Sequence, residues 1–388
     1  MLVGCGDSDS DSNGGGGSGA AGGGTTTKLT DADIQPVIDN YAKNVHANYA
    51  QVLTKVQGLQ TAVDELVQNP SNTSMGAAKD AWMAARPEYL QTEAYRFYGG
   101  PIDDEATGPE GLINGWPLDE NYIDYVDGSP MAGIINDPVN YPTISKDTIA
   151  EANEAEGEKA LSAGYHAVEF LLWGQDQSTT GPGARPFSDY VTGGGGTALN
   201  QDRRGLYIRE ASGLLVDDIQ IVVDAWVPGQ GYAKTFVEAP PRDSLGKMMT
   251  GIASLAGAEL STERMNNAYE TQDQEEEHSC FSDTTHVDHL NDIIGIENVY
   301  FGKFGTSDGP GIDELVEKVD PTLNAKIKAD IAAARAAIEA MPVPFDQAII
   351  DNPPGSRAKV KTAIDSLYTL AESLVQAGSK LEVTLLLE

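Results

Sequence analysis

The segment Ile34-Gln35-Pro36-Val37-Ile38-Asp39-Asn40-Tyr41-Ala42-Lys43-Asn44-Val45 opens a run whose apolar side chains return every three or four residues: Val37, Tyr41, Val45, Tyr49, Val52, Val56, Leu59, Val63, Leu66 and Val67. That is the period of an α-helix with one buried face. Thr30 is a natural N-cap, Asp33 places a carboxylate near the positive end of the helix dipole, and Asn69-Pro70-Ser71-Asn72 stops the run. Working outward, the same spacing predicts helices over about 75–98, 145–173, 200–226, 243–272, 321–340 and 355–379. Residues 99–145 read as a long ordered loop and 273–311 as a polar stretch. No segment alternates as a strand would, so the chain reads as all-α. Thr192-Gly193-Gly194-Gly195-Gly196-Thr197 marks a joint and not a phosphate cradle, since no Gly-Lys-Ser/Thr follows. The expected organisation is therefore a tether over 1–29, a first bundle over 30–196 and a second over 197–388. Residues 160–171 align without gaps to 363–374, sharing Ala, Tyr, Glu and Leu positions, which suggests two copies of one bundle. His166 in the first copy stands against Thr369 in the second.

The chain has 388 residues, of which 40% are hydrophobic, enough for a core in each half. It carries 25 Lys+Arg against 59 Asp+Glu, a net charge of −34. Such a surface repels nucleic acid and anionic membranes and concentrates cations. Only Cys5 and Cys280 are present, which excludes a disulfide framework and a cysteine-based zinc or iron–sulfur site. No uninterrupted apolar run reaches the roughly 18 residues of a bilayer-spanning helix. Leu2-Val3-Gly4-Cys5 resembles a bacterial lipobox, and Gly6–Thr27 reads as a flexible Gly/Ser/Asp tether behind it. The expectation is lipidation of Cys5, with membrane contact through that anchor alone.

His166 and Glu169 lie three residues apart on a strongly predicted helix and so share one face. An imidazole and a carboxylate placed in this way form half of a metal site. Gly164, one turn above, leaves room for a ligand or a neighbouring backbone. Gly164-Tyr165-His166-Ala167-Val168-Glu169, followed by Leu172-Trp173-Gly174, resembles the Gly-x-His-x-x-Glu signature of the imelysin family. The resemblance extends in order through Thr92-Glu93-Ala94-Tyr95-Arg96 with Pro101-Ile102-Asp103, then Arg203-Arg204-x-x-Tyr207. It continues with Glu277-His278-Ser279-Cys280-Phe281-Ser282-Asp283-Thr284-Thr285-His286 and Asn298-x-Tyr300-x-Gly302.

The resemblance implies two pseudo-symmetric helical bundles with a cleft between them, an envelope location in the periplasm or at the outer membrane, and expression tied to iron. It carries His166 and Glu169 over as the metal pair, with Glu93 and Asp103 as further ligands and Arg96 as a residue that orients a carboxylate or binds an anionic group. In the 277–289 block, Ser282–Thr285 read as a capped, solvated helix start. The competing reading has Asp283 or His286 reaching into the cleft as ligand contacts. Cys280 reads as a small buried side chain.

Iron, as the free ion or a chelate, is the expected ligand, with zinc or another divalent metal as the substitute. An inner- or outer-membrane transporter would be the recipient. The family is named for a peptidase, but neither His-Glu-x-x-His nor its inversion occurs here, and position 170 is Phe. Metal-dependent peptidase and non-catalytic interaction module are the alternative readings.

Overall fold

A computed structural model describes residues 28–387. Cys5 and the Gly/Ser/Asp tether lie outside the described residues. The first helix, Asp31–Gln68, starts at a capping box in which the Thr30 amide donates to Asp33 (2.9 Å). It buries one face from Ile34 to Leu66. Against that face pack the helices Asn72–Leu90 and Gln201–Ala225, and the short Gly164–Trp173 helix wedges between those two. The second bundle is built on a long helix that begins at Pro241–Ser254, widens to a π-helix over Leu255–Asn266 and ends at Asn267–Thr271. Thr285–Phe301, Pro321–Glu339 and Ser356–Lys380 complete it. The strands among the described residues are Lys303–Phe304 and Ser307–Asp308, one antiparallel pair. The protein is all-α, two helical bundles with a cleft between them.

The structure departs from the sequence reading in three places. The helix that follows the glycine run belongs to the first bundle: Gln201–Ala225 packs on Asp31–Gln68, and the Tyr207 hydroxyl donates to the Ser162 carbonyl (2.7 Å). The chain thus crosses to the second bundle after Ala225 and not at 196/197, and the four glycines form an exposed turn at which Thr197 donates to Asp189 (2.9 Å). The helix expected over 145–173 is two helices, Lys146–Ala152 and Gly164–Trp173. Between them, the Asn153 side chain accepts from the amides of Ser162 (3.0 Å) and Ala163 (3.3 Å), which holds the chain extended. Finally, the stretch 273–311 contains the Thr285–Phe301 helix. Its buried face includes Asp288, His289, Asn291 and Asp292, and these polar residues erased the apolar period.

The segments 160–171 and 363–374 share residue types without sharing surroundings. Gly164–Trp173 is buried throughout, whereas on Ser356–Lys380 the counterparts Tyr368 and Glu372 face solvent.

The long loops of the first bundle are tied down by arginines. Arg203 donates to the carbonyls of Ile134 (3.0 Å), Ile135 (2.7 Å) and Tyr141 (2.8 Å). Arg204 grips Asp124 side-on through Nε and Nη2, at 2.6 and 2.8 Å, with both residues fully buried.

Candidate functional site

The Gly164–Trp173 helix is apolar all round except at His166 and Glu169, as expected of a helix with no solvent face. Gly164 starts it with φ +83°, and a Cβ there would stand 2.5 Å from the Ile113 carbonyl oxygen. The room that Gly164 leaves is filled by a neighbouring backbone.

His166 Nδ1 lies 3.0 Å from Glu169 Oε2, and Glu169 Oε1 accepts from the amide (2.9 Å) and hydroxyl (2.6 Å) of Ser282. On the other side, His166 Nε2 is 3.2 Å from Arg86 Nη2, which can only donate. The imidazole is therefore neutral, with its proton on Nδ1 toward Glu169 and its lone pair on Nε2. Burial, reinforced by Arg86 and His278, holds its pKa well below the ordinary value. Burial also pushes the Glu169 carboxyl up to about 8, against the Ser282 donors that favour its anion. With both oxygens occupied, Glu169 orients the imidazole as a carboxylate does behind a ligating histidine. As they stand, the two residues are not a bidentate ion site.

The rest of the cluster comes from elements that the sequence reading left aside. Arg86, on the Asn72–Leu90 helix, is 1% exposed, and its Nη1 donates to the Asn114 amide oxygen. Its Nη2 lies 3.2 Å from Asp288 Oδ2 and from His278 Nδ1. Ser279 donates to the same Asp288 oxygen (2.6 Å), leaving Asp288 Oδ1 buried without a partner. The Trp116 and His278 rings sit 4.7 and 4.9 Å from the His166 ring, centroid to centroid. The signal for Arg86 was available: it falls on the Trp82 and Tyr89 face of its helix, where a charge has no water.

Above this cluster opens a cavity of about 370 Å³ between the bundles, with His278, Asn114 and Trp116 in its wall. Six glutamates line it (Glu110, Glu154, Glu158, Glu259, Glu263 and Glu276) beside Arg96, Arg264 and Lys159. The π-helical stretch supplies Glu259 and Arg264, which pair at 2.8 Å on the face that i→i+5 bonding gives to residues five apart.

The remaining sequence-derived residues are dispersed. Glu93 is fully buried between Arg96 and Arg264, and although burial would raise its pKa, those two arginines hold it near 2. It neighbours the cluster through Asn114 (3.5 Å) but is spent on the arginines. Arg96 reaches the cavity and is committed to Glu93 and Glu110 (3.1 Å). Asp103 does not join the site; its carboxylate accepts from the amides of Phe97, Tyr98 and Gly100 and closes the loop after the second helix. Asp283 sits apart from His166 in an acidic group with Asp176 and Asp346, where burial and those neighbours push its pKa up to about 7. His286 is half-buried, and Cys280 is buried. Among the described residues, no three His, Cys, Asp or Glu side chains stand in metal-binding geometry.

The buried imidazoles fix an acid response. His166, His278 and His289 are all held below the free value of 6.5, first by burial, and His289 near 3. A depressed histidine contributes its full stability above pH 6.5 and loses about 1.4 kcal/mol per pH unit below it. Glu169, raised to about 8, works in the opposite sense between pH 4.5 and 8. The comparison of variants removes that opposing contribution. Both ring nitrogens of His289 lack partners and the ring meets Phe345, so His289→Leu should flatten the fall in Tm between pH 7 and 5. Parallel Tm–pH curves for wild type and variant would contradict this.

Comparison with known proteins follows the same outline. A family model described as Imelysin matches residues 45–374. Iron-regulated protein A of Synechococcus elongatus is 24% identical over 363 residues, spanning 90% of this chain and 86% of that protein. Among solved structures, one from Parabacteroides distasonis named as an iron-regulated protein A precursor superposes with TM-score 0.73 at 20% identity, covering 92% of this chain and 97% of its own. An imelysin-like protein from Psychrobacter arcticus gives 0.65 at 13% identity, covering 92% and 98%. At these identities the two structures speak for the fold alone.

Proposed function

The chain belongs to the imelysin family, and on that premise we propose that it is a cell-envelope protein that captures iron, as an ion or a chelate, in the cavity between its bundles. The observation that carries the reading is the ring of six glutamates around that cavity, with His278 in its wall and His166 in contact behind it. Oxygen and imidazole donors suit iron, and a chain of charge −34 draws cations toward such a cavity. The iron in the names of the Synechococcus and Parabacteroides relatives supports the same reading. Glu169 and Ser282 would hold the His166 imidazole with its Nε2 lone pair toward Arg86, behind the cavity, while Arg96 and Arg264 offset the mutual repulsion of the glutamates near them. A lipid on Cys5 would keep the protein at the membrane, beside a transporter that receives the iron.

The test is metal content and affinity. The full chain is purified under defined iron and zinc and titrated with Fe²⁺, Fe³⁺ and Zn²⁺, beside Glu259→Gln/Glu263→Gln and His166→Ala/Glu169→Ala. Stoichiometric iron binding at micromolar affinity or tighter is expected, weakened at least about tenfold, or about 1.4 kcal/mol, in the cavity variant. Iron binding that is absent from the wild type, or equal in all three proteins, would overturn the reading.

A further inference from the structure

We propose that a second cavity, beside the C-terminal end of the Gly164–Trp173 helix, binds a small organic carboxylate. Arg185 would grip the carboxylate side-on, Lys79 would balance its charge, and Tyr125 and Trp173 would flank its apolar body. The proposal is independent of the iron-capture reading and uses none of the residues that line the glutamate cavity.

This cavity, of about 570 Å³, is walled by first-bundle residues that include Tyr125, Pro130, Trp173, Gly174, Arg185 and Pro186. The Arg185 side chain is 1% exposed, and its guanidinium lies 4.9 Å from the centre of the Tyr125 ring. One of its nitrogens, Nη1, donates to Asp124 (2.7 Å) and Asp189 (3.4 Å). Nε is buried without an acceptor, and Nη2 donates to nothing among the described residues. Nε and Nη2 together are a guanidinium edge that takes a carboxylate through two parallel bonds. Arg204 shows that pairing within this chain, since it holds Asp124 by the same two nitrogens. On Arg185 the same edge is left over. Gly174 keeps the space next to it open, because a Cβ there would stand 3.6 Å from Arg185 Nε.

A second cation stands nearby. The Lys79 ammonium lies 5.0 Å from the centre of the Trp173 ring, half-buried and in no ion pair among the described residues. Burial and then the charge of Arg185 lower its pKa, and no carboxylate acts against them. In a chain with 59 Asp+Glu against 25 Lys+Arg, two neighbouring cations with no anion between them run against the composition. The end of the helix does not supply the missing acceptors. Its Phe170, Leu171 and Trp173 carbonyls already accept from the Gly174 amide, the Tyr190 hydroxyl and the Arg185 amide, each at 2.7 Å. Asp127, on the cavity wall, is exposed and pairs with neither cation. The leftover edge selects a planar carboxylate, and the aromatic and proline walls select an apolar body behind it. A net charge of −34 favours one negative charge on the ligand over two, because long-range repulsion grows with ligand charge.

The test is equilibrium dialysis of the full chain against 2-naphthoate, with 2-naphthamide as the neutral molecule of the same shape. One equivalent of 2-naphthoate should bind with a Kd below about 1 mM, and 2-naphthamide at least about tenfold more weakly. Lys79→Met keeps an apolar chain over Trp173 and removes the charge, so it should weaken 2-naphthoate at least about fivefold, while Lys79→Arg stays near wild type. Ala184, an exposed residue of the wall beside Arg185, offers a second arm. Ala184→Glu tethers a competing carboxylate there and should cost at least about tenfold, whereas Ala184→Gln should not. Wild type without saturable 2-naphthoate binding below about 1 mM overturns the proposal. Equal affinity in wild type, Lys79→Met and Ala184→Glu overturns it as well, since the ligand would then sit elsewhere. If Lys79→Met fails to melt cooperatively, Ala184→Glu against Ala184→Gln decides: a loss confined to the glutamate variant supports the site, and equal binding overturns it.

Discussion

Replacing Asp124 with alanine is expected to cost about 3–5 kcal/mol of stability, enough to threaten folding at growth temperature. Asp124 is fully buried and its carboxylate serves two arginines, receiving Arg185 Nη1 (2.7 Å) and Arg204 Nε (2.6 Å) on Oδ2. Oδ1 accepts from Arg204 Nη2 (2.8 Å) and Asn136 Nδ2 (3.1 Å). Alanine would leave two guanidinium groups out of water facing each other, and an arginine cannot discharge by losing its proton. The damage would reach the site, because Arg185 lies over the Phe170 ring, on the helix that carries His166. Urea unfolding of the variant against wild type measures the loss. A loss below about 1 kcal/mol would mean that water reaches the two arginines after all.

Gly164→Ala should cost about 2–4 kcal/mol, from about 1 kcal/mol for a side chain at φ +83° and the rest from overpacking. The clash is with main chain: the new Cβ would meet the Ile113 carbonyl oxygen at 2.5 Å and its carbon at 2.8 Å, and neither can rotate away. Since Gly164 is the first residue of the helix, any relief moves His166 against Arg86, and on the iron-capture proposal metal affinity should fall with stability. Gly58→Ala is the control. It sits on an exposed helical position with nothing within 4 Å of a Cβ, so it should be neutral or stabilising by up to about 1 kcal/mol. Equal urea midpoints for Gly164→Ala and Gly58→Ala would refute the steric account.

The helices of both bundles were legible in the sequence wherever one face meets core and the other meets water. Asp31–Gln68, Gln201–Ala225 and Ser356–Lys380 are of that kind. Legibility failed where polar side chains point inward. Thr285–Phe301 buries Asp288, His289, Asn291 and Asp292, so its pattern looked solvated. The π-helical turn over Leu255–Asn266 has no composition cue, and its insertion of one residue per turn emerges only from packing. His166 and Glu169 could be paired from their spacing alone, because helical geometry fixes neighbours three residues apart. Arg86, His278, Ser282 and Asp288 could not, because their meeting depends on how two bundles dock. Asp103 shows the converse: a carboxylate in a family-like block whose work is to hold three backbone amides.

The bonds from Glu169 to Ser282 and from Arg86 to Asp288 each join one half of the chain to the other, and they are also the bonds that shape the candidate site. Occupancy of that site and adhesion of the halves therefore share one free energy. Any displacement of Arg86 or Glu169 from those partners also loosens a clasp, so a change at the site is felt as a change in the stiffness of the whole molecule.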